Sequence, residues 1–290
     1  MKNIFFSLLF TALAIPAIAQ EFQGTATYQS KTNTSEWMDK ISGNSQITPD
    51  MQKMIEDRMK KMSEKTFILN FGKSNSIYKE EEKLDAPGTD GGSRRMMASV
   101  MGGGGTYYKD IKNKNFIVDR EFMGKEFLVQ DSLPKYDWKM ESESRQIGGY
   151  TCYKATAVKA VDKSDFRNMG FKKEDKKDAD KKASISKSNI IDMLEMPDNV
   201  AITAWYAPEI PVSHGPESYY GLPGLILEIN DGKTVILCSK VVLNPKEKVT
   251  IKAPTKGKVV SEEEYNKIVL EKMEELKQMN AAPGGFRMGR

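Results

Sequence analysis

The sequence is poor in the residues that most often build metal and catalytic sites. Its 290 residues include one histidine and two cysteines, too few for a four-ligand Cys/His zinc site or for any site that needs two histidines. Neither sign of charge is in large excess, because 44 Lys and Arg residues nearly balance 40 Asp and Glu residues. A net charge of +4 gives no strong field for nucleic acid or an anionic membrane. We therefore predict no cofactor, no metal ligand and no nucleic-acid partner.

Long apolar runs are also missing, except for a short one at the amino terminus. Residues 1–19 combine Lys2, an apolar stretch over 4–15 and the small-x-small sequence Ala17-Ile18-Ala19. This pattern is typical of a secretory signal peptide cleaved after Ala19, and the apolar stretch is shorter than the ~20 residues of a transmembrane helix. We predict an exported protein, periplasmic or extracellular, with no transmembrane segment.

Export changes the interpretation of the two cysteines, Cys152 and Cys238. In an oxidising compartment, two thiols in one chain are more often paired than free. A bridge between them would close a loop of 86 residues, from 238 minus 152, and would stabilise the chain by roughly 4–5 kcal/mol. We predict this disulfide, and two separate buried thiols are the alternative.

Most of the mature chain alternates short apolar runs with turn residues, which indicates antiparallel strands. Two segments show helical spacing instead. Thr48-Pro49 opens the first, and Ser261 with Glu264 forms a capping box at the start of the second. The predicted fold class is mainly β (α+β): a curved antiparallel sheet or half-barrel with two amphipathic helices packed on it.

The first predicted helix carries a methionine stripe that has two interpretations. Met51, Met54, Met59 and Met62 follow one another, with Ile55 among them, at helical spacing. Thioether sulfur suits Cu(I), but methionine is also an adaptable filler between a helix and a sheet. The spacing favours packing, and copper handling is the alternative.

The predicted organisation is a signal peptide over residues 1–19, a single β-rich domain over 20–280 and a flexible tail over 281–290. Two loop insertions interrupt the domain. Residues 86–105 are rich in glycine but lack the spacing of a phosphate-binding loop. Residues 161–189 include a densely charged run that has no apolar face to bury.

Local sequence predicts two turns near the end of the domain. Leu222-Pro223-Gly224-Leu225 has proline and glycine at its centre, which specifies a type II turn with positive φ at Gly224. Asp231-Gly232 between two apolar runs is a strong hairpin signal. In the predicted register Ile229 lies opposite Thr234, which places Cys238 on the apolar face.

The segment Gly221-Leu222-Pro223-Gly224-Leu225-Ile226 resembles the signature of the GLPGLI family, exported proteins typical of Bacteroidetes. Two larger blocks are similar to that family as well: GGYTCYKATA at 148–157 and AWYAPEIPVSHGPESYYGLPGLILEI at 204–229. With Trp138, the resemblance covers roughly 138–243, about a third of the chain. It implies an exported protein and assigns no catalytic residue, because the family has no established function.

The family segment concentrates aromatic residues among prolines and glycines, a composition that suits a cleft for an apolar ligand or a partner peptide. The candidate binding residues are Trp205, Tyr206, His214, Tyr219, Tyr220 and Pro223. Packing against the sheet is the alternative role of these aromatics. The residues assigned a structural role are Cys152, Cys238, Gly221, Pro223, Gly224, Asp231 and Gly232.

His214 is the sole candidate for a histidine base, but no G-x-S-x-G elbow accompanies it, so no catalytic residue is assigned. The predicted function is that of a non-enzymatic cell-envelope protein that binds an apolar small molecule, a lipid or an outer-membrane protein. It requires an apolar groove without converging polar side chains. The alternative is a hydrolase or a copper-handling periplasmic protein, in which His214 or several methionines converge with carboxylates in one pocket.

Overall fold

A computed structural model describes residues 22–42, 48–81, 105–162, 165–168, 170–171 and 194–281. The strands are β1 (Gly24–Thr32), β2 (Glu64–Phe71), β3 (Asn75–Glu80), β4 (Tyr107–Asp110), β5 (Asn115–Phe122), β6 (Lys125–Ser132), β7 (Lys139–Ile147), β8 (Tyr150–Ala160), β9 (Gly170–Phe171), β10 (Leu194–Glu195), β11 (Asn199–Ala207), β12 (Leu225–Asn230), β13 (Thr234–Leu243) and β14 (Lys258–Val260). The α-helices are α1 (Ser35–Ser42), α2 (Pro49–Ser63) and α3 (Glu262–Ala281). The predicted signal peptide, most of both insertions and the tail beyond 281 lie outside the described residues.

One open, curled sheet contains twelve of these strands, in the order β14-β6-β5-β4-β3-β2-β1-β13-β12-β11-β8-β7. Its neighbours are antiparallel except for β14, which runs parallel to β6. The mainly β prediction is therefore confirmed. The connection from β6 to β7 starts beside one end of the sheet and finishes at the other. Residues 133–138 reach at most about 25 Å, so the sheet must curl to bring its two ends close together.

Tight turns with positive φ join several neighbouring strands. Met123-Gly124 joins β5 to β6, with φ of 51° and 74°, and Gly148-Gly149 joins β7 to β8, with φ of 58° and 86°. Two central residues with positive φ are the signature of the type I′ hairpin, whose twist matches that of the strands. The glycine pair at 148–149 is therefore a hairpin turn within the segment that resembles the GLPGLI family.

The predicted β12–β13 hairpin is present, but its predicted register is wrong by two residues. Ile229 lies opposite Ile236 instead of Thr234. The turn centres on Gly232-Lys233, because the Asp231 carboxylate accepts the N–H groups of Lys233 and Thr234 at 3.0 and 2.6 Å. Side chains alternate with a period of two, so a two-residue shift leaves Cys238 on the buried face.

The helix starts follow the sequence signals. In α2, the Met51 N–H donates to Thr48 Oγ1 at 3.3 Å and Pro49 takes the first helical position. At α3, Ser261 and Glu264 exchange the two hydrogen bonds of a capping box, at 3.0 and 3.1 Å. Both caps are therefore confirmed. None of the described helices is long and apolar enough to cross a membrane.

The apolar faces of the two helices are buried to different degrees. In α3, Tyr265 and Val269 are buried in a cluster with Phe127 and Val129 of β6. In α2, Met51 and Met54 are 46% and 57% exposed, and Ile55 and Met59 are half-buried. Only some residues of the methionine stripe are therefore packed against the rest of the protein. Leu276 and Met279 belong to the apolar stripe that the sequence predicts for the second helix; their side chains and that of Met62 lie outside the described residues.

The predicted disulfide is not formed, and Cys152 and Cys238 are separate buried thiols. The strands β11 and β12 lie between β8 and β13, and each step across a sheet is about 4.8 Å. A disulfide needs Cα atoms within about 7 Å. Each thiol instead donates to a backbone carbonyl, Cys152 to Tyr150 at 3.6 Å and Cys238 to Lys240 at 3.4 Å.

Candidate functional site

The connection between β11 and β12, residues 208–224, forms an interior segment that packs inside the curled sheet. Its buried side chains are Ile210, Val212, His214, Tyr219 and Leu222. A single antiparallel bridge between His214 and Tyr220 folds it back on itself. The six GLPGLI residues begin at the end of this segment and continue into β12. The motif therefore marks the place where the interior segment ends and β12 begins.

The two glycines of the motif have different structural roles. Gly221 has φ of +97° and lies beside the Trp138 indole. Gly224 does not have positive φ, so the predicted type II turn is wrong. Its N–H donates to the Leu222 carbonyl at 2.9 Å, and a Cβ at this position would lie 2.3 Å from the Ala207 carbonyl oxygen. Gly224 thus permits close approach of two backbones, a role that local turn rules do not reveal.

A buried lysine on β4 holds the interior segment in place. Lys109 of β4 is fully buried, and its Nζ donates to the carbonyl oxygens of Gly215, Glu217 and Tyr219 at 2.5, 2.6 and 2.9 Å. We call these three oxygens the carbonyl cage. Burial lowers the pKa of Lys109 to about 7, and Glu217 acts in the opposite direction.

Charged side chains converge next to the cage, whereas the binding prediction required that no polar side chains converge. Arg167 makes ion pairs of 2.6 Å with both Asp165 and Glu217, and Lys159 lies 5.2 Å from the centre of the Tyr219 ring. Burial opposes ionisation of both carboxyl groups, but Arg167 lowers the pKa of each below its ordinary value. These charges neutralise one another, so the cluster orders the interior segment as an ion-pair network.

An open groove of about 490 Å³ lies where the interior segment reaches the surface. We call it the Trp138 groove. Its lining residues are Tyr136, Asp137, Trp138, Lys139, Met140, Gly221, Leu222 and Pro223. The rings of Tyr136 and Trp138 are stacked, with centroids 5.3 Å apart. The Trp138 indole N–H donates to the Tyr220 carbonyl at 2.9 Å, and the Tyr136 hydroxyl bonds to Ser218 at 2.8 Å. One wall of the groove is therefore attached directly to the interior segment.

The predicted binding residues do not form one cleft. Pro223 lines the groove, while Tyr219 and Tyr220 lie behind it, with ring centroids 5.5 and 6.1 Å from that of Tyr136. Trp205 is buried beneath Arg145, and the hydroxyl of Tyr206 contacts the Met140 sulfur at 3.5 Å.

His214 lies fully buried in the interior segment. Neither ring nitrogen makes a hydrogen bond of normal geometry among the described residues, although the Gly72 backbone lies close enough to favour the protonated ring. Burial lowers its pKa to about 3, and the nearby charge of Lys109 acts in the same direction. The imidazole is therefore neutral at ordinary pH and has no access to a substrate.

Sequence reasoning missed the aromatic wall of the groove and the buried lysine. Tyr136, Trp138 and Met140 are spaced two residues apart, which puts them on one side of an extended chain. That alternation with Asp137 and Lys139 was the available signal, because it is typical of an extended segment with one covered face. Lys109 gave no signal, because its acceptors are about 110 residues away and are backbone atoms.

A larger open groove, of about 750 Å³, lies between α1, α2 and the adjoining ends of β1 and β13. Its lining is mostly polar or charged, and the methionines that line it are Met38 and Met59. In the part of the chain that the structure describes, no group of three or more His, Cys, Asp and Glu residues could hold a metal ion.

Comparison with known proteins gives a match to one family model and matches to solved structures. A family model described as "Protein of unknown function (Porph_ging)" matches residues 138–228, about a third of the chain, and loosely fits a Bacteroidetes family. No curated protein matches. Two solved chains, described as "Structure of PNGF-II in C2 space group" and "Structure of PNGF-II in P21 space group", match 86% of this chain at 15% and 16% identity with TM-scores of 0.44 and 0.43. This chain spans about a third of the length of each. The family match begins at Trp138 and includes 221–223, and so contains residues from both walls of the Trp138 groove.

Proposed function

We propose that this chain is an exported cell-envelope protein of the GLPGLI family that has no enzymatic activity and binds an apolar segment of an outer-membrane protein in the Trp138 groove. The observation that carries the proposal is the composition of the groove. It is lined by a half-buried, stacked Tyr–Trp pair, an exposed methionine and an exposed proline beside an end of the sheet. Aromatic and methionine side chains are enriched at the centres of protein interfaces.

The shape of the groove favours a protein segment over a small molecule. Ligand pockets enclose 70–90% of a small ligand, whereas Met140 in this groove is 65% exposed. The groove adjoins β7, a terminal strand whose side chains are mostly exposed. No other described strand pairs with its outer edge. Extended segments of partner proteins add to such edges by backbone hydrogen bonding.

Site-specific photo-crosslinking in the native cell envelope tests the proposal. A photoreactive residue is placed at Met140 or Pro223, and at Met54 of α2 as the control, because Met54 is also exposed but lies on the helix beside β2, midway between the two ends of the sheet order. We expect one adduct shared by positions 140 and 223 and absent at 54. Trp138→Ala should remove this adduct, and Tyr136→Phe, which keeps the ring, should retain it. The same adduct at all three positions, or none at 140 and 223, would overturn the proposal.

Two further measurements separate the alternatives. Native mass spectrometry of the protein purified from its own envelope detects a co-purified lipid or small molecule, which would replace the protein partner. A titration with copper or zinc tests the metal-handling alternative, which requires binding tighter than micromolar. The hydrolase alternative needs His214 beside carboxylates in an accessible pocket, and His214 is fully buried.

A further inference from the structure

The backbone carbonyls of the interior segment need internal partners, because an unpaired buried carbonyl is costly. Five of them accept backbone N–H groups from nearby in the chain, at 2.8–3.1 Å: those of Ile210, Ser213, His214, Pro216 and Leu222. Four others, those of Gly215, Glu217, Tyr219 and Tyr220, accept from side chains elsewhere in the sequence. The position of the segment therefore depends on those distant donors.

Lys109 supplies three of these four bonds. An ammonium group has three N–H donors and no acceptor, and the carbonyl cage presents three oxygens at 2.5–2.9 Å. Donors and acceptors are thus matched in number. The Glu217 carboxylate bonds to Arg167 instead, so backbone dipoles are the direct partners of the lysine charge. Gly215 permits this close packing, because a Cβ there would lie 2.9 Å from the Ile226 side chain.

The fourth bond connects the cage to the groove. Tyr219 O accepts from Lys109 and the adjacent Tyr220 O accepts from the Trp138 indole. Gly221 and Pro223, which follow directly, form the opposite wall of the groove. Any shift of the carbonyls at 219 and 220 would therefore move both walls.

We propose that Lys109 is a positioning residue for the Trp138 groove: its ammonium group fixes the carbonyl cage and, through the neighbouring Tyr220 carbonyl, fixes the Trp138 indole. The inference rests on the proposed function only in naming the Trp138 groove as the site that Lys109 positions. The geometric relation between Lys109 and Trp138 does not depend on any partner being bound.

The first test compares Lys109→Met with Lys79→Met in the mature full-length chain. Lys79 lies on the neighbouring strand β3 and is exposed, which makes it a matched control. Hydrogen exchange of the Trp138 indole N–H is followed by ¹⁵N NMR and assigned with Trp138→Phe. We expect exchange to accelerate roughly tenfold in Lys109→Met, the effect of losing one hydrogen bond, with β1 and β2 amides still protected. Wild-type exchange in a folded Lys109→Met protein would overturn the inference.

The second test is chemical rescue. It tests the role of Lys109 even if Lys109→Met fails to fold. Lys109→Ala removes three carbons and the ammonium group, the atoms of n-propylammonium. We expect n-propylammonium to restore wild-type exchange of the Trp138 indole N–H, and tetramethylammonium, which has the charge but no N–H donor, to leave it fast. No rescue, or equal rescue by both ions, would contradict the role of Lys109. Failure of the crosslinking experiment alone would remove the proposed function and leave this inference standing.

Discussion

The burial of His214, the single histidine of this protein, should make the stability of the folded state depend on pH. Both ring nitrogens are buried, and neither makes a hydrogen bond of normal geometry among the described residues. Burial, with the Lys109 charge acting in the same direction, lowers its pKa from 6.5 to about 3. The folded state therefore binds fewer protons than the unfolded state between pH 6.5 and 3. Stability from this residue is present above pH 6.5 and is lost as the pH falls towards 3.

The pH dependence of unfolding tests this assignment in untagged protein. Between pH 6.5 and 5, where few carboxyl groups titrate, the free energy of unfolding should fall by up to about 1.4 kcal/mol per pH unit. Denaturant unfolding at several pH values between 5 and 6.5 measures the slope below the range in which Lys109 titrates. His214→Leu should abolish most of it, because leucine fills the site without titrating. An imidazole NMR signal that titrates near pH 6.5 in the folded protein would contradict the prediction.

Gly224 provides a second test at the residue level. Gly224→Ala would place Cβ 2.3 Å from the Ala207 carbonyl oxygen, and since both sides are backbone, neither yields easily. We expect destabilisation by at least about 2 kcal/mol, measured by denaturant unfolding. Gly72→Ala is the control, because the nearest atom to its added Cβ is 3.7 Å away. Equal stability of the two variants would show that the close approach at Gly224 is not a constraint.

At the level of elements, short turns with positive φ fix the register of the sheet. The connection between β4 and β5 includes Lys114, which has φ of 55° and an exposed side chain. A non-glycine residue in this conformation is strained by roughly 1–2 kcal/mol. Lys112, in the same turn, is also exposed but does not have positive φ. The turn therefore contains its own matched pair of positions.

Glycine should have opposite effects at these two positions. Lys114→Gly should stabilise the protein by roughly 0.5–1 kcal/mol, because relief of the strain outweighs the added freedom of the unfolded chain. Lys112→Gly relieves no strain and only increases the freedom of the unfolded chain, so it should destabilise the folded protein by about the same amount. Thermal and denaturant unfolding measure both. If Lys114→Gly is no more stable than Lys112→Gly, the left-handed conformation of Lys114 carries no strain.

For the whole molecule, the order of strands in the curled sheet decides which distant residues meet. It keeps Cys152 and Cys238 apart, and burial raises the pKa of their thiols to about 11 and 12. We expect neither thiol to react with iodoacetamide in the native protein at pH 8, because the thiolate is the reactive form. Both should react after denaturation without reductant, as counted by intact mass. One or no label in the denatured, unreduced protein would favour the disulfide.

The sequence predicted features that depend on neighbouring residues. The caps at Thr48 and Ser261, the strand alternation and the existence of the β12–β13 hairpin all follow from interactions within a few positions. The hairpin register failed because two turns, centred on Asp231-Gly232 or on Gly232-Lys233, compete within the same four residues. The hydrogen bonds that the Asp231 carboxylate accepts stabilise the second of these turns. A dipeptide turn signal alone does not distinguish the two.

Local sequence likewise predicted one part of the candidate site and missed the other. The GLPGLI motif located one wall of the groove, at Pro223, and the predicted aromatic cluster supplied Tyr219 and Tyr220 behind it. The opposite wall, with Tyr136 and Trp138, is about 85 residues earlier in the chain and is brought there by the connection from β6 to β7. No local spacing encodes that meeting, because it depends on how far the sheet curls.

By itself, the sequence determined the composition, the mainly β class, the helix caps and the presence of a hairpin, since each depends on propensities and hydrogen bonds between near neighbours. Only the tertiary structure decided that the cysteines stay apart, that Gly224 lets two backbones approach closely, and that Lys109 meets three carbonyls of the interior segment. The physical reason is common to all three. The free energy of each arrangement depends on atoms that the curled sheet brings together from distant parts of the chain.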